Sequence, residues 1–267
     1  MSDALERELL GLAEAIAREA GGLLQRYAAE GFAVGTKSSR TDMVTEADRA
    51  AEALIVERIG SARPDDAVMG EEGARREGHT GVRWVVDPLD GTTNFIYGVP
   101  AYGVSIGVER DGQVVAGVVF DAAHGEAFTA LLGSGAWRDG RPIRASGKAE
   151  LATALIGTGF GYDAAQRALQ GAMLTRLIGR VRDIRRMGSA ALDLAHVACG
   201  MLDGYYEYRL NPWDIAAGGL IAREAGARTA GFGGYAFEDG FVVAAAPAVF
   251  DALREAVEEA YAATRAG

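Results

Sequence analysis

Residues 84–95 read Trp84-Val85-Val86-Asp87-Pro88-Leu89-Asp90-Gly91-Thr92-Thr93-Asn94-Phe95. The apolar run from Trp84 to Val86 suits a buried strand, and it meets a carboxylate followed by proline. Pro88 has no N–H for a sheet ladder and fixes its own φ, so the strand is expected to stop there. Gly91 permits a tight turn, and Thr92, Thr93 and Asn94 suit the opening of a helix with free backbone N–H groups. Asp87 and Asp90 therefore flank a helix N-terminus, which is a natural phosphate site. Acids beside an anion repel it unless cations lie between them, so the stretch implies a divalent metal bridging carboxylates to phosphate. Asp-Pro and Asp-Gly are also ordinary turn signals, and the rest of the chain has to decide between the readings.

The chain has 267 residues, 49% of them hydrophobic, enough for the core of one large domain or two smaller ones. No apolar run is long enough for a membrane span, and the first residues lack the apolar core of a signal peptide. A soluble cytoplasmic protein is the expectation. The net charge of −10 argues against nucleic-acid binding over the whole surface. His79, His124 and His196 show no zinc spacing, and no Gly-x-Ser-x-Gly elbow accompanies them, so imidazole-based catalysis is not expected. The single cysteine, Cys199, lies in an apolar helical stretch and reads as a packing thiol.

Outward from the central stretch, residues 3–28 carry Leu5, Leu9, Leu12, Ile16, Leu23 and Tyr27 at helical spacing. Residues 31–44 are polar and aperiodic and read as an exposed loop. Thr45 then caps a second helix with Asp48 at its N3 position. That carboxylate stabilises a helix N-terminus, and it serves a site only if the helix faces the Asp87 strand end. Residues 67–69 form a short strand whose exit carries Glu71, close enough in sequence for neighbouring strands to bring it beside Asp87. Strands 102–109 and 113–121 meet at Asp111-Gly112, a hairpin signal. Another strand pair, 127–132 and 135–138, follows, and Ser146-Gly147 divides an α+β half (1–146) from an α/β half (147–267).

In the second half strands 154–157, 182–186, 205–208 and 241–245 alternate with helices 164–179, 189–202, 212–225 and 247–262. The cluster Gly157-Thr158-Gly159-Phe160-Gly161 invites a dinucleotide reading, but Tyr162 occupies the third glycine position and excludes it. Asn211-Pro212-Trp213-Asp214 is a well-formed helix start, with Asp214 at N3. Glu71, Asp87, Asp90 and Asp214 thus all stand at strand exits or helix entries, positions that converge at one edge of layered α/β sheets.

Asp87-Pro88-Leu89-Asp90-Gly91-Thr92-Thr93-Asn94-Phe95 and Trp213-Asp214-Ile215-Ala216-Ala217-Gly218 resemble the two signature motifs of the inositol monophosphatase family. Gly70-Glu71-Glu72 and residues 42–48 are similar to two further family segments, in the right order and spacing. The resemblance implies a layered αβαβα sandwich, dependence on Mg2+ (two to three ions, the main pair about 3.5–4 Å apart) and a homodimer. It makes Glu71, Asp87 and the Leu89 carbonyl ligands of one magnesium, and Asp87, Asp90 and Asp214 ligands of a second. Gly91 and Thr92, with Thr93 beside them, would bind phosphate, while Thr92, Asp48 and Glu71 act on the attacking water. Lys37 would approach the phosphate region, and Gly188, Ser189, Ala190 and Glu207 would meet the alcohol part of the substrate.

The resemblance implies a magnesium-dependent phosphomonoesterase for inositol 1-phosphate or a close polyol phosphate, with lithium sensitivity. Relatives act instead on histidinol phosphate, fructose 1,6-bisphosphate or 3′-phosphoadenosine nucleotides, and some bacterial relatives work with the transcription machinery. For that last role Arg180, Arg182, Arg185 and Arg186 form a local basic cluster able to contact nucleic acid or RNA polymerase.

Overall fold

A computed structural model describes residues 2–36 and 43–266. Helix α1 (Ser2–Glu30) leads to a short antiparallel pair, β1 (Val34–Thr36) and β2 (Met43–Thr45), and then to α2 (Glu46–Ala62). Next come β3 (Ala67–Gly70), β4 (Arg75–Arg76), β5 (Val82–Asp90) and the short helix α3 (Thr92–Tyr97). A meander follows: β6 (Gly103–Arg110), β7 (Gln113–Asp121), β8 (Glu126–Leu131), β9 (Gly135–Arg138) and β10 (Arg141–Pro142). The remaining chain runs β11 (Leu155–Thr158), α4 (Ala164–Leu177), β12 (Asp183–Arg185), α5 (Ala190–Ala198), β13 (Gly204–Tyr208) and α6 (Pro212–Glu224). It ends with β14 (Arg228–Ala230), β15 (Phe241–Ala245) and α7 (Pro247–Ala266).

Strands β3 to β10 form one sheet in the order β10-β9-β8-β7-β6-β5-β3-β4, antiparallel except for the β3–β5 pair. Strands β11 to β15 form a second in the order β12-β11-β13-β15-β14. The period-2 alternation of side chains assigns the layers. Val118 joins the core under α1 and α2, with Leu9, Ile16, Leu24 and Ile55. Its neighbour Val119 packs on the other face against Leu192, Leu220 and Ile221 of α5 and α6. In β15, Val242 and Ala244 face α5 and α6, whereas Val243 and Ala245 face Leu177 of α4 and Val249 and Leu253 of α7. The layers are therefore α1/α2, first sheet, α5/α6, second sheet, α4/α7, an αβαβα sandwich.

Helix α6 sits unusually low on the first sheet. Gly107 and Gly117 are paired across β6 and β7. A Cβ on Gly107 would meet Ala216 Cβ at 2.7 Å, and one on Gly117 would meet the Ala217 backbone at 2.9 Å. The missing side chains let the helix backbone approach, and the Ser105 hydroxyl then donates to the Trp213 carbonyl at 3.0 Å. Ser105 is the sheet partner of Asp87, so this contact sets the start of α6 beside the end of β5.

Two local expectations are corrected. β5 does not stop at Asp87 but continues to Asp90, because a bulge absorbs Pro88: Asp87 pairs with Ser105, and pairing resumes at Asp90 with Gly103. The stretch read as loop contains β1 and β2, with Thr45 at once the end of a strand and the cap of α2. The short strands β4, β10 and β14 have too few residues for a periodic signal. The Asp111-Gly112 hairpin forms as expected, with φ of 51° and 82° at the two turn residues.

Asn94 ties α3, just after β5, to the segment that precedes α5. Its side chain is 8% exposed, and Nδ2 donates to the carbonyls of Ala101 at 2.6 Å and Met187 at 2.7 Å. Both partners are acceptors, so the amide nitrogen must face them. Removing it leaves two carbonyls without a donor in a water-poor place, and Asn94→Ala should lower the unfolding free energy by about 2 kcal/mol. Asn94→Asp should cost at least as much by placing an oxygen against two oxygens. Denaturant unfolding of both variants checks this, and unchanged midpoints would remove Asn94 from that tie.

Candidate active site

The parallel pairing of β3 with β5 puts Gly70 opposite Val86, and the Glu71 N–H donates to the Val86 carbonyl at 3.1 Å. Glu71 thereby lies beside Asp87. The turn after it is held by the buried Glu52 of α2, which accepts the Glu72 N–H at 2.9 Å and the Ala74 N–H at 3.2 Å. Asp87 is 2% exposed, and its Oδ1 accepts the Leu89 N–H at 3.0 Å across the bulge. Asp90 Oδ2 accepts the Ser189 hydroxyl and the Ala191 N–H, both at 2.7 Å, at the start of α5. Asp214 Oδ2 accepts the Asn211 N–H at 2.6 Å at the start of α6. In each aspartate a backbone donor fixes one carboxylate oxygen.

The acids meet at a cleft of about 300 Å³, lined by Glu71, Asp87, Leu89, Asp90, Gly91, Thr92, Gly188, Ala190, Glu207 and Asp214 among others. Asp48, Thr93 and Ser189 are not on its wall. Asp48 is fully buried and uses both oxygens: Oδ2 accepts the Thr45 N–H at 2.7 Å, and Oδ1 accepts the Thr92 hydroxyl at 3.0 Å. The cap reading and the site reading of Asp48 therefore coexist in one carboxylate. Ser189 is 1% exposed and engages Asp90, and Lys37 lies outside the described residues. Gly91, with φ of 96°, has no room for a side chain: a Cβ would stand 2.7 Å from the Ala101 carbonyl oxygen.

Burial dominates the electrostatics. It pushes the Asp87 carboxyl well above the ordinary range, helped by repulsion from Glu71, Asp90 and Asp214. Asp214 is pushed up in the same way, by burial and then by Asp90 and Glu71. Asp90 is pushed up to about 6 by burial, against the opposing pull of its bonds from Ser189 and Ala191. No three His, Cys, Asp or Glu side chains among the described residues are gathered as a ready-made metal centre. The donor set nevertheless suits a hard cation: carboxylates and a carbonyl, without thiolate or imidazole, repelling one another across one cleft.

Sequence reasoning missed several residues here. Asp193 is 1% exposed, with Oδ1 lacking a hydrogen-bond partner, and burial with repulsion from Glu207 and Asp90 pushes its carboxyl far up. The Tyr205 hydroxyl donates to Glu207 Oε2 at 2.5 Å, which period 2 along β13 allows because the two side chains share a face. Gly159, Phe160 and Gly161 line the cleft, and a Cβ on Gly159 would overlap the Glu207 carboxylate. The glycine cluster thus makes room for Glu207 and is no nucleotide motif. Cys199 is half-buried, its thiol pushed up by burial, in keeping with a packing role.

The chain is a five-layer αβαβα sandwich with Glu71, Asp87, Asp90 and Asp214 on one cleft, the fold of solved inositol monophosphatases. Residues 5–265 match the Inositol monophosphatase family, and the chain belongs to that family. It is 44% identical over 273 residues to the inositol-1-monophosphatase of Mycobacterium bovis, covering 94% of this chain and 93% of that protein. It is 42% identical over 246 residues to the Nus factor SuhB of Pasteurella multocida, covering 90% and 92%. The crystal structure of the extragenic suppressor protein suhB from Bartonella henselae superimposes with a TM-score of 0.89 at 36% identity, over 94% of this chain and 99% of that one.

The repulsion at Asp87 makes a stability prediction. Asp87→Asn keeps the oxygen that accepts the Leu89 N–H but removes an ionisable group that burial and its three acidic neighbours penalise in the folded state. In the absence of divalent metal the variant should melt about 2–4 °C above the unmutated protein, the scale of 1 kcal/mol for a domain of this size. Added magnesium should raise the melting temperature of the unmutated protein more than that of the variant. Scanning calorimetry with and without chelator checks both, and a lower metal-free melting temperature for Asp87→Asn would contradict the repulsion argument.

Proposed function

We propose that this protein is a magnesium-dependent phosphomonoesterase that hydrolyses inositol 1-phosphate or a close polyol phosphate. The observation that carries the reading is the meeting of Glu71, Asp87, Asp90 and Asp214, from both halves, on one cleft with Thr92 and its Asp48 partner. Glu71, Asp87 and the Leu89 carbonyl would hold one magnesium, and Asp87, Asp90 and Asp214 a second. When bound, magnesium neutralises phosphate charge and lowers the pKa of water. The family membership and the relatives named inositol-1-monophosphatase support phosphatase activity.

The chain's own groups then have assignable roles. The Thr92 hydroxyl is within donating distance of Asp48 Oδ1 at 3.0 Å and of the Leu89 carbonyl at 3.1 Å, and with its one proton directed to Asp48 its oxygen can accept a hydrogen from a water in the cleft. Buried Asp48 holds that hydroxyl in one orientation, and Glu71 stands beside the same water. Backbone N–H groups of Gly91, Thr92 and Thr93 open α3 and would receive phosphate oxygens. The water oxygen would attack phosphorus as the ester P–O bond breaks, one proton of that water ending on the leaving alcohol oxygen and the other on the phosphate. Gly188 and Ala190 line the alcohol side, while Ser189 acts through Asp90.

Residues 1–146 and 147–267 act in this reading as two halves closing on one cleft, in a cytoplasmic homodimer. No helix among the described residues is long and apolar enough to cross a membrane. A second reading, contact with the transcription machinery, is favoured by relatives named Nus factor SuhB. The basic cluster offered for it is partly occupied, since Arg180 pairs with Glu259 and Arg185 with Asp183. Copurification with RNA polymerase is the observation that would support it.

Phosphate release from inositol 1-phosphate tests the main reading. Activity should require magnesium, and Asp90→Asn should lower kcat/KM by about a thousandfold or more with the fold intact. Substantial turnover by that variant at saturating magnesium would overturn the ligand assignment.

Glu207 tests the substrate. Burial pushes its carboxyl up to about 7, against the pull of the Tyr205 hydroxyl and Arg186, so near neutral pH both its charged and its neutral form can bond substrate hydroxyls. Glu207→Ala should raise KM for inositol 1-phosphate about tenfold more than KM for an aryl phosphate without hydroxyl groups. Equal effects on the two substrates would remove Glu207 from the alcohol subsite.

A further inference from the structure

Arg209 leaves β13 two residues after Glu207, and it lines the cleft. Its φ is 63°, in the left-handed region. The other described non-glycine residues with positive φ are Asp111 and Asp139, both in Asp-Gly turns. Aspartate tolerates that backbone because its short side chain can bond nearby backbone groups. Arginine has no such compensation. The turn itself calls for the left-handed residue: the chain passes from β13 into α6 across Arg209, Leu210 and Asn211, with the Leu210 N–H on the Gly240 carbonyl at 3.2 Å. Glycine would make the same turn without strain. What arginine adds at this position is a guanidinium on the cleft wall, and strained backbone at a ligand-facing position points to a use for the side chain.

The guanidinium lacks a strong partner within the chain. Nη1 lies 3.5 Å from Gln166 Oε1, at the outer limit of a hydrogen bond, and Arg209 forms no ion pair among the described residues. The two acids on the same side of the cleft are already engaged. Asp163 Oδ1 accepts the Gln166 N–H at 2.9 Å, capping α4, and Glu207 Oε2 accepts the Tyr205 hydroxyl. The other cation on the wall, Arg186, reaches the Phe160 carbonyl at 3.4 Å. The cleft therefore joins a carboxylate end, suited to cations and phosphate, to a rim with two arginines.

We propose that Arg209 is a specificity-determining residue whose guanidinium receives an anionic group, carboxylate or phosphate, on the alcohol portion of the substrate. The preferred esters then carry a negative charge besides the phosphate that is cleaved. The planar fork of donors matches either group in a bidentate pair, and neutral hydroxyls gain less from it. The inference rests on the phosphatase reading above and departs from it in substrate, since inositol 1-phosphate carries no anion besides its phosphate.

A matched pair of esters tests it: 6-phosphogluconate and glucitol 6-phosphate, which differ in a terminal carboxylate against a hydroxymethyl group. The unmutated protein should favour 6-phosphogluconate in kcat/KM through a lower KM. Arg209→Gly, which relieves the backbone, should fold with no loss of melting temperature and reduce that preference about tenfold, the scale of one charge-assisted hydrogen bond. Arg209→Lys should keep part of it. A merely structural role would lower both esters alike, and an unchanged ratio in Arg209→Gly would overturn the proposal. If the unmutated protein cleaves neither ester nor an aryl phosphate in magnesium, the phosphatase reading fails. Calorimetric titration with the two esters still decides Arg209, since equal affinities for the unmutated protein would overturn its role.

Discussion

The repulsion between buried carboxylates is the constraint around which this structure is arranged. Asp87 stands almost out of solvent with Glu71, Asp90 and Asp214 close enough to push its carboxyl up. Left to relax, such groups would move apart or into water, because an unpaired buried charge costs far more than an ordinary contact contributes. The chain resists by attaching the four acids to three rigid elements. Glu71 follows a strand paired in parallel with β5, Asp87 and Asp90 bracket a bulge in β5, and Asp214 opens a helix seated on the Gly107–Gly117 pair. The acids face one another because the sheet, the bulge and the helix leave them nowhere else to go.

The same device recurs at Asp48, Asp87, Asp90 and Asp214. One oxygen takes a backbone or hydroxyl donor from its own turn or from a neighbouring helix start, so the side chain loses its rotamer freedom at folding. Asp48 carries the device furthest, since the oxygen that does not cap α2 orients the Thr92 hydroxyl. Capping and site-building are therefore not rival explanations of these residues. A helix N-terminus supplies the donor that holds the carboxylate, and the carboxylate in turn stabilises the N-terminus.

Much of this was legible in the sequence because the signals are local. Asp-Pro-Leu-Asp-Gly-Thr-Thr and Asn-Pro-Trp-Asp name a strand exit and a helix entry, and an Asp-Gly pair names a hairpin. The illegible parts depend on partners distant in the chain. Nothing near Asn94 foretells that its amide will bridge Ala101 and Met187, and nothing near Ser189 foretells Asp90, which lies 99 residues away. Pro88 misled for a physical reason: proline ends a regular ladder, but a bulge leaves a position where no N–H is required. Residues 34–36 and 43–45 escaped because a strand pair of three residues a side has no hydrophobic period to read.

The division of labour between the halves follows from these attachments. Glu71, Asp87, Asp90 and Thr92 belong to the first sheet and its exits, whereas Glu207, Arg209 and Asp214 belong to the strand and helix that leave the second. A shift of one sheet against the other would therefore pull the carboxylate end of the cleft from the rim that carries Glu207 and Arg209. Three contacts near the cleft oppose it, Asn94 to Met187, Asp90 to Ser189 and Ala191, and Ser105 to Trp213, and farther away Glu224 accepts the Gly133 and Gly135 N–H groups. The three near the cleft join the first-half elements that carry the acids to the starts of α5 and α6, the layer shared by both sheets. Register between halves is thus fixed closest to the cleft, where an error of a few tenths of an ångström matters most, and it is fixed by polar contacts. Apolar packing is non-directional and tolerates sliding, while a buried hydrogen bond has one good geometry and a large penalty when unmade.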